Sequence, residues 1–301
     1  ETVHGLAVAG VVTSTSALIG RLYQGTRREK VFGVQAAVGA GVALVGVLAA
    51  GALGSVGGWR APFALYLVAL VMLAAALAAL RRLPTFVNEP LAADGEPRSF
   101  AVFAGHAPFY LMTLAMSVVM QMTGIQTGLV LAEDNVTDPA VQSVVLGMAS
   151  VSGVLVGVSY GMIRKAVPNS LMVVLILFFW AAGQSWIGLS HGPVQTGAAV
   201  ALSGIGSGLM FAYLPALLLS RLEERHHAVG LGLYYSTMFI GDFINPLIMG
   251  AIRTVVPDYH AVFLTIGIGC ATICLFALIR WLRLGGFKAP AFAGSQEKTT
   301  S

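Results

Sequence analysis

The chain has 301 residues, of which 57% are hydrophobic and only 10% charged, with a mean hydropathy of +0.83. An ordinary soluble domain is about 25% charged, so this composition excludes a water-soluble enzyme and equally excludes a disordered polar chain. The formal net charge of +4 and the sequence pI of about 9.2 do not mark a nucleic-acid binder, because the basic residues gather in a few short places between long uncharged stretches and are spent on membrane topology and anionic lipid contact.

In chain order the apolar stretches run Val3 to Tyr23, Val31 to Leu53, Ala61 to Leu80, Ala101 to Leu131, Val141 to Ile163, Leu171 to Leu189, Gln195 to Ser220, Ala228 to Ile252 and Ala261 to Leu282. Each meets the length of about 20 residues that a helix needs to cross ~30 Å of hydrocarbon. The expected fold is therefore all-α, a polytopic transmembrane helical bundle of nine spans.

The basic residues fall as Arg21/Arg27/Arg28/Lys30, Arg81/Arg82/Arg98, Arg164/Lys165, Arg221/Arg225 and Arg280/Arg283/Lys288/Lys298. All of these belong to turns on one side, which the positive-inside rule makes cytoplasmic. The opposite turns carry Arg60 and Arg253 beside a small acidic loop at Glu133, Asp134 and Asp138. The expected location is the inner or plasma membrane, multi-pass, with the C-terminus in the cytoplasm.

The sequence also divides. Residues 83–100, with Pro84, Pro90, Pro97 and charges at Glu89, Asp94, Glu96 and Arg98, form a candidate cytoplasmic linker. It separates a three-span group over residues 1–82 from a six-span bundle over residues 101–284, and residues 285–301 form a tail expected to be disordered. An Arg-x4-Gly entry into a span occurs at Arg28 to Gly33 and again at Arg225 to Gly230. Each is followed by an outer turn with one Arg and then a Phe: Arg60 and Phe63, Arg253 and Phe263. A parallel repeat of six-span halves is one of the recurring plans of secondary transporters. On that plan the first three spans here match the last three, and further spans are expected upstream of Glu1.

Several segments together resemble the major facilitator superfamily, and within it the bacterial efflux-type permeases. They are the glycine-rich second span with Gly39, Gly41, Gly46 and Gly51, the outer Gly58-Trp59-Arg60-Ala61-Pro62-Phe63, and Gly204-Ile205-Gly206-Ser207-Gly208. Pro215, the turn from Arg221 to Gly230, and Gly241-Asp242-Phe243-Ile244-Asn245-Pro246 complete them. The resemblance covers nearly the whole chain as that family's spans four to twelve, and implies a secondary active transporter of small molecules working by alternating access. Proton-coupled efflux is the expected mode. Proton-coupled uptake on the same fold, and a non-transporting membrane receptor or enzyme, are the alternatives. The implied partners are a small-molecule substrate, a proton or other coupling ion, the bilayer and the upstream spans. No cofactor, metal or nucleic acid is implied. The second span has glycines but no Gly-Pro step, and the loop at Arg164 and Lys165 has no Asp of its own.

Asp242 is the one acidic side chain deep inside a span, about 14 residues or roughly 21 Å from the cytoplasmic start of its helix. A charge at mid-helix costs about 2.5 to 3.5 kcal/mol on insertion scales, so Asp242 is expected to face a cavity or a partner, either as a coupling or substrate carboxylate or as a protonated hydrogen-bonding group. Tyr235, Met238, Asp242, Asn245 and Met249 form one helical stripe, and Pro246 frees a backbone carbonyl beside Asp242. In the fourth span, Thr123, Gln126 and Thr127 share a face. Gln121 and Gln126 diverge by about 140°, so one is expected to line a pore while the other meets a neighbouring helix, and Gln126 is assigned to the pore. Gln184, between Trp180 and Trp186, is a similar candidate. Thr13 to Ser16 are expected to bond back to their own helix.

Two small-xxx-small pairs, Gly153/Gly157 and Gly204/Gly208, are expected to let helices approach closely. Cys270 and Cys274 are expected to be packing residues without a disulfide. His226 and His227 are expected in a solvated cytoplasmic turn, and His106 at an interface. The chain has no His-Glu-x-x-His zinc motif, Ser207 follows Ile205 where an intramembrane serine protease would have Gly, and no ring of charges suggests a channel filter. An enzyme is therefore not expected.

Overall fold

The structure is a computed structural model and describes residues 2–81, 101–223, 226–256 and 258–283. The candidate linker (83–100) and tail (285–301) lie outside the described residues. Among the described residues every regular element is helical: α1 (Thr2–Leu22), α2 (Gly25–Gly57), a 3-10 segment (Ala61–Tyr66) running into α3 (Leu67–Leu80), α4 (Ala101–Ala104), α5 (Ala107–Glu133), α6 (Pro139–Ala166), α7 (Asn169–Leu189), α8 (Gly192–Arg221), α9 (His227–Arg253) and α10 (Tyr259–Arg283). Seven helices are long and apolar enough to cross a membrane, the 3-10 segment with α3 counting as one. The expected first and eighth spans, α1 and α9, also form as helices of 21 and 27 residues. α9 carries Asp242, Asn245, Ser236, Thr237 and two tyrosines among its apolar residues. This is the all-α polytopic bundle that the hydropathy pattern demands.

Helix boundaries follow local chemistry. The expected span from Ala101 is broken after Ala104 and restarts at Ala107, where Pro108 takes one of the first two helical positions. Proline's missing N–H is harmless there and disruptive further in. Asp138 caps α6, its carboxylate accepting from Ala140 N at 2.9 Å. Gly58 closes α2 at φ 68° and Gly192 opens α8 at φ 75°, backbone that a Cβ would strain.

α2 and α6 run antiparallel and touch along most of their length. A Cβ on Gly157 would lie 2.6 Å from both the Gly33 carbonyl oxygen and Ala37 N, while Gly153 faces the Ala40 methyl. At the other end Gly51 packs on Ser143 and on the Pro139 carbonyl. The expected Gly153/Gly157 surface therefore receives α2. Gly204 and Gly208 bring α8 against the backbone of α6 at Ala149 and Gly153. α8 is the most enclosed helix, with Leu209, Met210, Leu214 and Leu218 fully or almost fully buried. α7 closes on α8 through Gly183 against Ser203, and on α10 through Gly188 against His260 and Leu264. Thus α2 finds its main partners in the second half of the chain, α1 meets α9 near Gly20 and Ser16, and residues 61–78 bury nothing.

The end with the basic turns is tied by Arg164, whose guanidinium donates to Glu29 Oε1 at 3.0 Å and to the Val167 carbonyl at 2.9 Å. The acidic partner missing from its own loop is supplied by α2. At the other end Arg253 pairs with Glu133 at 3.2 Å. The expectation of a solvated His227 is corrected: it is 3% exposed, with Nε2 3.0 Å from the Leu222 carbonyl, because its ring lies beside Gly20 of α1. Cys270 and Cys274 are buried and free, as their positions in the last span require.

A Gly157→Leu substitution should separate α2 from α6 and lower stability by about 1–3 kcal/mol, the usual cost of overpacking. Gly269→Ala, where a Cβ meets nothing within 4 Å, should instead be neutral or stabilise by about 0.5–1 kcal/mol. Thermal melts of both variants in detergent check this, and equal melts would contradict the seam.

Candidate functional site

Four of the five residues in the α9 stripe are buried: Tyr235, Met238, Asn245 and Met249. Asn245 is wholly enclosed. Its Nδ2 donates to the Val118 carbonyl at 2.7 Å and its Oδ1 accepts from Gln126 Nε2 at 2.7 Å, so one amide holds α9 to α5 by two bonds. Gly241 lets the helices come together there by packing on Ser117. Tyr235 shares a hydrogen bond of 2.9 Å with Ser16 of α1. Ser16 thus departs from the expected back-bonding, which Thr15 does show through the Val11 carbonyl at 2.8 Å.

A second polar node joins α5, α7 and α8. Thr123 and Ser203 hydroxyls lie 2.9 Å apart, and Gln184 Nε2 donates to Thr123 Oγ1 at 2.9 Å and to the Val119 carbonyl at 3.3 Å. All three side chains are at most 4% exposed. Above Thr123, Trp180 Nε1 donates to Ser207 Oγ at 3.2 Å. In hydrocarbon such groups have no water to turn to, so each bond fixes a helix register as well as a contact.

Between these nodes and α2 lies a cavity of about 660 Å³, within the 300–1,000 Å³ typical of small-ligand sites. The small-residue face of α2, from Phe32 and Gln35 to Val47, forms one wall. Met120, Gln121, Thr123 and Gly124 of α5 form another, with Ser150 and Gly153 of α6 and Ser207 and Phe211 of α8 between them. Tyr235, Met238 and Phe239 of α9 and Val12 of α1 complete it. None of the lining residues is charged. The polar groups at hand are two amides, a few hydroxyls and a phenol, suited to orienting a ligand whose bulk is apolar.

Of the residues singled out in the sequence, Thr123 and Tyr235 line the cavity. Gln184 stands behind Thr123, and Asn245 and Gln126 are bound to one another. The divergence of Gln121 and Gln126 is as expected but their assignment is reversed: Gln121 lines the cavity, and Gln126 is turned away because Asn245 offers it a buried partner. Asp242 is half-buried, one turn beyond Met238 on the same face of α9. Its Oδ1 is enclosed and has no hydrogen-bond partner among the described residues. Gln35, Ser150 and Ser207 were not anticipated; of these only Gln35, a lone amide in the glycine-rich second span, carries a signal in the sequence.

Membrane-spanning helices that enclose an uncharged cavity of this size have the layout of a small-molecule site in a membrane protein. The family model of the Major Facilitator Superfamily matches residues 2–193, and the chain belongs to that superfamily. It is accordingly a multi-pass membrane transporter of small molecules. No curated protein matches the chain.

Asn245→Leu should strand the Gln126 amide in an apolar setting and cost about 1–3 kcal/mol. Combining it with Gln126→Leu should cost less than the two single effects together by about 0.6–1.7 kcal/mol, the range for interhelical hydrogen bonds in a membrane. A double-mutant cycle on unfolding in mixed micelles measures that coupling, and strict additivity would mean the pair makes no net bond.

Proposed function

We propose that the protein exports a small amphipathic compound and couples that export to the proton gradient. The uncharged cavity carries the reading. A fully charged ligand would leave its counter-charge unmet there at a cost of several kcal/mol, whereas an apolar body with one or two hydrogen-bonding groups finds Gln35, Gln121, Thr123 and Tyr235 around it. Such a molecule partitions into lipid and needs removal more often than uptake, which favours export.

Asp242 is the coupling group in this reading. Its Oδ1 is enclosed with no hydrogen-bond partner among the described residues, and it lies one turn from Met238 in the cavity wall, where the arrival of a ligand would change its surroundings. Pro246 assists: it removes the N–H that would bond the Asp242 carbonyl, leaving a soft place in α9. Thr123 and Gln184 position the cavity wall, and Gln126 with Asn245 anchors α9 to α5 below Asp242. The basic turns face the cytoplasm of a cell with an energised inner or plasma membrane, the C-terminal end of α10 lies inside, and the turns at Glu133 and Arg253 lie outside. The chain divides functionally into residues 1–82 and 101–284, with 83–100 as the connection between them.

The test uses the protein with all that its gene encodes, reconstituted in liposomes with an imposed pH gradient and an internal pH dye. Neutral amphiphiles that raise its melting temperature should, when added, discharge the gradient. Asp242→Asn should bind them and leave the gradient intact. Gln121→Ala should weaken binding about tenfold, equivalent to ~1.4 kcal/mol for one lost hydrogen bond. Gradient discharge unaltered in Asp242→Asn would remove that residue from coupling, and a requirement for charged ligands would overturn the substrate class.

A further inference from the structure

At the end of the bundle away from the basic turns, three turns that are distant in sequence bring two imidazoles and a carboxylate together. Asp134 follows the last residue of α5, His191 precedes α8, and His260 lies in the first turn of α10. One ligand atom from each lies within 4.8 Å of the other two. We propose that Asp134, His191 and His260 form a binding site for a divalent transition-metal ion, of which Zn²⁺ is the natural probe.

Donor chemistry supports this. Two neutral imidazoles and one carboxylate are the three-ligand set of open zinc sites, with a water in the fourth position. In a tetrahedral site with bonds of about 2.0–2.2 Å, neighbouring donor atoms stand about 3.4 Å apart. His260 Nε2 and Asp134 Oδ1 are already 3.2 Å apart. His191 is exposed, so its side chain closes the remaining gap by rotating about its own bonds. Its ring already lies beside that of His260, with centroids 5.7 Å apart and planes at 48°.

The carboxylate is held in place for the purpose. Asp134 Oδ2 accepts from Gly192 N at 2.8 Å, a bond that needs the left-handed turn at Gly192 (φ 75°), and this leaves Oδ1 directed at the histidines. Such support of a ligating carboxylate is what a metal site requires beyond its ligands. Glu133, next in sequence, is occupied by Arg253 and by Tyr259 N at 2.9 Å, so it does not compete for the ion. A plain Asp134–His260 ion pair accounts for less. It gives no reason for a second imidazole to be packed alongside. An ion in this place would tie α5, the α7–α8 turn and α10 together, independently of the cavity and of what the protein carries.

The experiment uses the full chain, purified without a polyhistidine tag and treated with chelator. Titration with Zn²⁺ against a chromophoric chelator should show one tight equivalent per chain, and Co²⁺ should give the intense visible bands of a tetrahedral site. His191→Ala is the decisive variant because its side chain is exposed and its loss should leave the metal-free melting temperature unchanged. It should weaken Zn²⁺ binding by at least the roughly tenfold that losing even an outer-shell partner costs, and abolish the tetrahedral Co²⁺ bands. Asp134→Asn and His260→Ala should do the same, and His106→Ala should not. Unchanged affinity in His191→Ala, or only octahedral Co²⁺ spectra in the unmodified protein, would overturn the site. Transport assays play no part in this result, so it stands or falls separately from the export reading.

Discussion

Gly33 and Gly157 bring the backbones of α2 and α6 close enough that even a methyl group between them would be a clash, and the rest of the architecture depends on that approach. In water, burying apolar side chains would drive two helices together. In lipid, tails and leucines are equivalent, so association rests on close van der Waals contact and on polar groups that find one another. The same logic repeats inward, with Gly204 and Gly208 seating α8 on α6 and Gly183 seating α7 on α8. The result is a set of helices held at nearly backbone distance on one side, while the side chains of α5 and α9 hold back enough space on the other for a cavity.

Polar side chains do the complementary work. The Gln126–Asn245 pair and the Thr123–Gln184–Ser203 node are both almost fully enclosed, and each ties α5 to its neighbours. They fix the rotation of α5 about its own axis, which decides that Gln121 and Thr123, and not Gln126, face the open space. Asp242 differs from these in kind. Where Asn245, less than a turn away, uses both ends of its amide, the carboxylate oxygen Oδ1 is enclosed with no hydrogen-bond partner among the described residues.

Hydropathy made the helices legible in the sequence because a bilayer imposes a length of about 20 apolar residues on any span, and the glycine spacing made the close contacts legible because no other residue is as small. Tertiary choices were less visible. Gln121 and Gln126 lie on different faces of one helix, and only the position of α9 determines which face looks inward. His227 follows a run rich in charge and reads as solvated, yet it begins α9 and its ring packs near Gly20 of α1. The break at Gly105 and His106 was hidden in an apolar run, although Pro108 marked it. Asp134, His191 and His260 have no spacing in common, being brought together by three helix ends, and no motif could have announced them.

The seam between α2 and α6 is tight at Gly33 near one end and at Gly51 near the other. Two rods touching at both ends cannot splay like scissors without losing one of the contacts, and the interlocked bumps between them resist sliding lengthwise. Rolling is blocked too, because turning α2 about its axis would bring a residue with a Cβ to the place that Gly33 holds against Gly157. The pair therefore moves as one body, and the cavity wall that Gln35 and Gly39 supply travels with α6.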